Sequence, residues 1–206
     1  MKLYYSPGAC SLAVNIALHE AGIPFDIERV DNKAKVTKSG EDFWGVNPKG
    51  VVPVLKLDNG ETLTEAAALL QYVADRKPEA GLMPKAGTMD YYRVQEWLNF
   101  IATELHKQFT PLFKEATPGD YRIIAKENVL KAFALVDQHL AGRQWLVGDT
   151  YSVADIYLFT VSNWGRFQDI DVAQWPNLND LRTRMRARPK VEEAMKAEGL
   201  IKPATA

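Results

Sequence analysis

The chain has 206 residues, 47% hydrophobic and 25% charged, the balance of a globular protein that can bury its own core. Its 25 Lys and Arg against 26 Asp and Glu leave a net charge of −1, which excludes a general electrostatic pull toward nucleic acid or an anionic membrane. One cysteine excludes an internal disulfide, no apolar run reaches the ~18 residues of a membrane helix, and a strand pattern stands where a signal peptide would. We therefore expect a cytoplasmic protein.

Lys2 to Tyr5 predicts a short strand, and Ser6-Pro7-Gly8 has turn chemistry. Cys10 follows at the head of a helical pattern running to Ala21, with Leu12, Ala13, Ile16 and Ala17 on one face. Such a cysteine is either a small buried hydrophobe or a thiol whose ionised form the helix N-terminus favours. Gly22 stands where a left-handed cap belongs, and Pro24 blocks continuation. Phe25 to Val30 alternates as a strand does, completing a β-α-β unit of the kind that makes a parallel pair.

The stretch from Asp31 to Gly50 is polar and poorly periodic. Val51 to Leu57 predicts the next strand, Asp58-Asn59-Gly60 a tight hairpin, and Glu61 to Leu63 the return. Thr64 is the expected N-cap of a helix through about Arg76. Pro53 breaks the strand pattern. It marks an edge that discourages aggregation, or a cis bond that turns the Val52 backbone toward a peptide-like ligand.

Two prolines and two glycines between Lys77 and Gly87 mark a linker. Beyond it the pattern is helical, over roughly 89–115, 120–141, 152–167, 177–187 and 190–197. The expected architecture is an α/β domain over 1–80, a linker over 81–87 and an all-helical domain over 88–206. Tyr151 to Ile156 carries a capping box, Ser152 with Asp155, and a hydrophobic staple, Tyr151 with Ile156, which are structural signals.

On the first long helix, Val94, Leu98, Ile101, Ala102, Leu105 and Phe109 gather on one side of a 100° wheel. Tyr92, Asn99, Thr103, His106 and Thr110 gather on the other, with Lys107 beside them. That polar stripe is a solvated face or, given its amide, hydroxyl and imidazole groups, a ligand wall. The three histidines, His19, His106 and His139, lack metal-ligand spacing, and neither a phosphate-binding loop nor a nucleophile elbow is present.

Four stretches, KLYYSPGACSLA, NPKGVVPVL, TLTEAAALLQYVAD and EWLNFIATELHKQFTPLF, together resemble the glutathione S-transferases, in detail those of the bacterial beta class. SVADIYLF is similar to that family's helix-capping motif. The resemblance spans essentially the whole chain. It implies a thioredoxin-like domain of βαβ-ββα order joined to an all-helical one, a homodimer, and glutathione as co-substrate with no metal. The implied activity joins the glutathione thiol to apolar electrophiles, a detoxification reaction. The alternatives are a glutathione-dependent thiol-disulfide oxidoreductase or peroxidase working through a Cys10 mixed disulfide, and a non-catalytic protein that keeps the transferase fold.

Carried over residue by residue, the resemblance places Cys10 at the glutathione sulfur, with Ser11 and His106 as further hydrogen-bond donors to its thiolate. Val52, before a cis Pro53, pairs with the cysteinyl backbone. Glu65 and the Ala66 backbone hold the γ-glutamyl end, and Lys35 meets the glycyl carboxylate. Asn99, Leu105, His106 and Lys107 border the site, while Thr103 and Glu104 reach the neighbouring subunit's ligand. Phe113, Trp164 and Phe167 seat the electrophile. Position 66 departs from the family in being Ala where Gly or Ser is common, and Val14-Asn15 also differs; both bear on affinity. Position 13 is Ala, so Cys10 has no CxxC partner.

Overall fold

The computed structural model describes residues 1–201; positions 202–206, the end of the expected helical domain, lie outside the described residues. The described residues form two compact units, Met1–Leu82 together with 187–201, and Met83–Arg186.

In the first unit β1 (Lys2–Tyr5), β2 (Asp26–Asp31), β3 (Val36–Thr37), β4 (Val54–Lys56) and β5 (Thr62–Thr64) form a mixed sheet. Among the described residues the strand order is β3-β2-β1-β4-β5. β1 and β2 are parallel, as a helical crossover requires, and the other pairings are antiparallel. That crossover is α1 (Ser11–Glu20), whose residues from Ser11 to Leu18 are all buried. Its end has the expected glycine cap. Gly22 has φ 63°, its N–H donates to His19 O at 3.2 Å, and the Ile23 N–H donates to Leu18 O at 3.1 Å, the paired bonds of a Schellman motif.

The stretch read as irregular holds β3 and a one-turn helix, α2 (Phe43–Val46), elements too short to show a period. The expected strand over Val51–Leu57 is shorter, because Val51 to Pro53 stay outside the ladder and the Val52–Pro53 bond is cis. The hairpin at Asp58 to Gly60 forms as expected, with Leu57 N–H donating to Glu61 O at 2.8 Å. Thr64, expected to cap the next helix, instead closes β5. The cap of α3 (Ala66–Arg76) is Glu65, in the left-handed region at φ 70°.

The last helix, α9 (Pro189–Ala197), was expected within the all-helical domain and belongs instead to the first unit. The helix packs against α1, burying Val191, Ala194 and Met195, and polar pairs fasten both of its ends. Arg188 donates to both carboxylate oxygens of Glu20, at 2.7 and 3.2 Å, and Glu198 beyond the helix accepts from Gly8 N–H at 2.9 Å and from Asn15 Nδ2 at 3.0 Å. Pairs this far apart in sequence leave no local pattern.

The second unit is helical, with α4 (Met89–Phe100), a π-helical turn (Ile101–His106), α5 (Lys107–Phe113), α6 (Gly119–Leu140), α7 (Val153–Ser162) and α8 (Pro176–Arg186). Val94, Leu98, Ile101, Leu105 and Phe109 are fully buried, as the apolar side of the wheel predicts. The capping box forms at α7. Ser152 Oγ accepts from Ala154 N–H at 3.2 Å, and Asp155 accepts from Ser152 N–H at 2.8 Å and from Leu146 N–H at 2.9 Å. Burial outweighs these donors and pushes the Asp155 carboxyl up to about 6.

Candidate functional site

The loop between β1 and α1 carries Cys10 as the cap residue of α1. It is held from both sides. Ser11 Oγ accepts from Ser6 N–H and donates to Ser6 O, both at 3.2 Å. Gly8, at φ 72°, gives its N–H to Glu198, and a Cβ there would touch Leu200 at 3.5 Å. Cys10 is buried, and its Sγ donates to Val52 O at 3.4 Å. Burial is the dominant effect on the thiol and pushes it up to about 12, against the lowering by the backbone N–H groups of Cys10 and Ser11; the Glu65 and Glu198 carboxylates add to the rise.

This corrects the expectation that the helix start favours a Cys10 thiolate. In a desolvated pocket the charged form loses more hydration than two N–H donors return, and the carbonyl of Val52 rewards the protonated form. Ser11 is likewise committed. Its side chain is fully buried and braces the loop through Ser6, so the hydroxyl expected at the glutathione thiolate has another partner.

Where β5 meets α3, Glu65 accepts from Lys49 Nζ at 2.6 Å. Thr64 Oγ1 accepts from the same ammonium at 2.9 Å. Ala66 follows as the first residue of α3 and is buried, at the end of the helix where N–H groups lack intrahelical partners and the dipole favours anions. Lys35, itself at φ 57°, donates from Nζ to Gly50 O at 2.7 Å and lies 5.7 Å from the Trp44 ring centroid. Gly50 is at φ 64°, and a Cβ there would run into the Trp44 ring, so only glycine lets this loop close on its neighbour. The first unit thus brings together two groups, Cys10 with Val52 and Glu65 with Thr64 and Lys49.

In the second unit His106 ends the π-helical turn. Its Nδ1 lies 2.6 Å from Tyr157 Oη, and its ring packs edge-on to Trp164 with centroids 4.9 Å apart. Phe109 and Phe113 stand 5.6 and 5.9 Å from the same indole. Phe113 and Trp164, expected at the electrophile, therefore join one aromatic cluster with His106. Phe167 is apart from it, exposed and packed under its neighbour Arg166 at 4.5 Å. Asn99 and Thr103 are exposed and use their side chains on backbone carbonyls one turn back, Asn99 Nδ2 on Gln95 O at 2.9 Å and Thr103 Oγ1 on Asn99 O at 3.1 Å. Glu104 and Lys107 are exposed. Leu105 is fully buried among the core.

Sequence reasoning missed Lys49, Glu198, Tyr157 and Phe109 as partners of site residues. Lys49 sits in the quoted stretch NPKGVVPVL, and its spacing to Glu65 says nothing until the β4–β5 hairpin brings them together. Tyr157 and Phe109 read as core positions, which they also are. Among the described residues no group of three or more His, Cys, Asp or Glu side chains could hold a metal ion, and no helix is long and apolar enough to cross a membrane.

The sequence profile described as "Glutathione S-transferase, N-terminal domain" matches residues 8–76. That described as "Glutathione S-transferase, C-terminal domain" matches residues 100–189. The chain belongs to the glutathione S-transferase family. It is 42% identical to the glutathione S-transferase GstA of Escherichia coli O157:H7, over 97% of this chain and 100% of that one. Among solved structures, a sphingomonad glutathione S-transferase complexed with glutathione matches with a TM-score of 0.93 at 47% identity, over 98% of this chain and 100% of that one. The bacterial beta class enzyme of Sphingomonas chungbukensis matches with a TM-score of 0.94 at 45% identity and the same coverage. The mixed sheet of the first unit is the thioredoxin-like part of the transferase fold, and the helices of the second unit are its C-terminal part.

Proposed function

We propose that this transferase joins the thiol of glutathione to electrophilic, largely apolar small molecules. The observation that carries the reading is the β5–α3 junction. There Glu65 and Thr64 already hold an ammonium beside the start of α3, an arrangement that suits a γ-glutamyl group with its own ammonium and carboxylate. In this reading the ammonium goes to Glu65, the carboxylate to the Ala66 end of α3, the cysteinyl backbone to Val52, and the glycyl carboxylate to Lys35. The sphingomonad relative is named as a complex with glutathione, which supports the assignment.

Cys10 then acts as a neutral donor. Its S–H stabilises a neighbouring thiolate as it now serves the Val52 carbonyl. Ser11 positions the loop. His106, whose Nδ1 lies 2.6 Å from Tyr157 Oη, is the second group assigned to the sulfur. Phe113 and Trp164, with Phe109, offer an apolar wall for the electrophile. Asn99, Thr103, Glu104 and Lys107 keep their proposed places along the ligand or the neighbouring subunit. The homodimer, the cytoplasmic location and the detoxifying role belong to the same proposal. A thiol-disulfide reading ranks below it, because a thiol pushed up to about 12 is a poor attacking group at neutral pH.

Calorimetric titration with reduced glutathione tests the binding half, with one site per chain expected. Steady-state conjugation with a panel of electrophiles tests the chemistry. The absence of binding heat, joined to an unmoved thermal midpoint, would favour a non-catalytic protein of the same fold.

A further inference from the structure

Lys49 belongs to no role assigned so far, yet it makes the shortest contact at the β5–α3 junction. Its ammonium lies 2.6 Å from Glu65 Oε1 and 2.9 Å from Thr64 Oγ1. Both side chains of the ion pair are more than half exposed, so the pair can open without unburying any core. The carboxylate that accepts it is held by a residue at φ 70°, a conformation rare for glutamate. The backbone sets where the Glu65 side chain starts, while carboxylate and ammonium both sit at the ends of exposed, flexible side chains that can exchange partners. Two side-chain oxygens, of Glu65 and Thr64, that hold a displaceable ammonium form an ammonium subsite occupied from within.

We propose that Lys49 is an intramolecular competitor for this subsite, and that it sets how strongly the protein prefers ligands with a free α-ammonium. The proposal rests on the reading of Glu65 as the γ-glutamyl contact. A γ-glutamyl peptide displaces Lys49 from Glu65 by exchanging one ammonium for another, so the carboxylate never loses a countercharge. A ligand that lacks the ammonium leaves Lys49 in place. The two kinds of ligand therefore meet different competition, and Lys49 narrows the difference between them.

The test is calorimetric titration of wild type and of Lys49→Met with reduced glutathione and with its desamino analogue, in which the γ-glutamyl ammonium is replaced by hydrogen. An exposed ion pair of this kind is worth about a twofold to fivefold change in affinity. Lys49→Met should bind glutathione tighter by about that factor and bind the desamino analogue no tighter than wild type does. Lys49→Arg, which keeps a cation at Glu65, should stay near wild type. Added salt should shrink the gain of Lys49→Met, since it weakens the pair in the wild type. Unchanged or weaker binding of glutathione to Lys49→Met overturns the proposal, as does equal tightening of both ligands. A wild-type chain that binds no glutathione overturns the underlying reading and the proposal with it.

Discussion

Cys10 gives its one hydrogen to the Val52 carbonyl, and this decides what the residue can do. A thiol pushed up to about 12 is almost wholly protonated at neutral pH. Alkylation of Cys10 should therefore be slow from pH 7 to 9 and should accelerate only well above that range, measured by mass-resolved labelling of the single cysteine. Cys10→Ala removes one neutral donor, so conjugation should fall by about tenfold or less. Glu65→Gln removes the countercharge of an ammonium and should weaken glutathione binding by about tenfold or more. The residue scale is where the sequence was hardest to read. That Cys10 stands at a helix start was legible. That desolvation outweighs the N-terminus was not, because burial is a property of everything packed around it. The same holds for Ser11, whose partner lies five residues back in a turn whose shape the letters do not give.

At the scale of elements, the signals that were legible are those that repeat or that sit within four residues of each other. The glycine cap of α1, the hairpin at Asp58 to Gly60 and the capping box at Ser152 are of this kind. Asp155 shows how much such a signal can carry. It is buried, and it accepts from Ser152 N–H, Leu146 N–H and Ser152 Oγ. Asp155→Ala leaves these donors buried without an acceptor and should cost about 2–5 kcal/mol, read as a drop in the denaturant midpoint at unchanged slope. Thr64 misled as a cap because the chain reaches α3 through a left-handed Glu65, which no helix-start pattern anticipates. The wheel drawn at 100° per residue also fails locally. The Lys107 N–H donates to Ala102 O, five residues back, so the turn between α4 and α5 is wider than an α-turn. Such turns gather at functional sites, and this one ends on His106. Thr103 bonding back to Asn99 O helps satisfy a carbonyl where the regular ladder changes step.

At the scale of the molecule, two buried carboxyls set the dependence of stability on pH. Asp155 moves from an ordinary 3.8 to about 6 and Glu198 from 4.5 to about 7, in both cases chiefly through burial. A raised carboxyl binds its proton more tightly in the folded chain, so each contributes stability that is full below its unfolded value and is lost as pH rises through its folded one. His19, lowered by burial, acts the other way, gaining as pH rises toward 6.5. Its single lowered group meets two raised ones, so the thermal midpoint should fall between pH 5 and pH 8. In Glu198→Gln the fall should be smaller. That variant also loosens the clamp on Gly8, so its midpoint at pH 5 should lie below that of wild type. The division into units was legible only in outline. The linker and the helical composition were visible, but the return of α9 to the first unit rests on its apolar face packing against α1 and on the pairs Arg188 with Glu20 and Glu198 with Gly8 and Asn15. These pairs span more than 160 residues.

The central claim is that the protein ionises the thiol of glutathione while its own cysteine stays protonated. The most direct measurement is ultraviolet thiolate absorbance during titration of Cys10→Ala with reduced glutathione across pH 5 to 9. Thiolate should appear at a pH well below the ~8.5 of an ordinary cysteine thiol, at one equivalent per chain. A thiolate signal from the ligand-free wild type at neutral pH, or a signal with glutathione that follows the free peptide's own titration, would contradict the account.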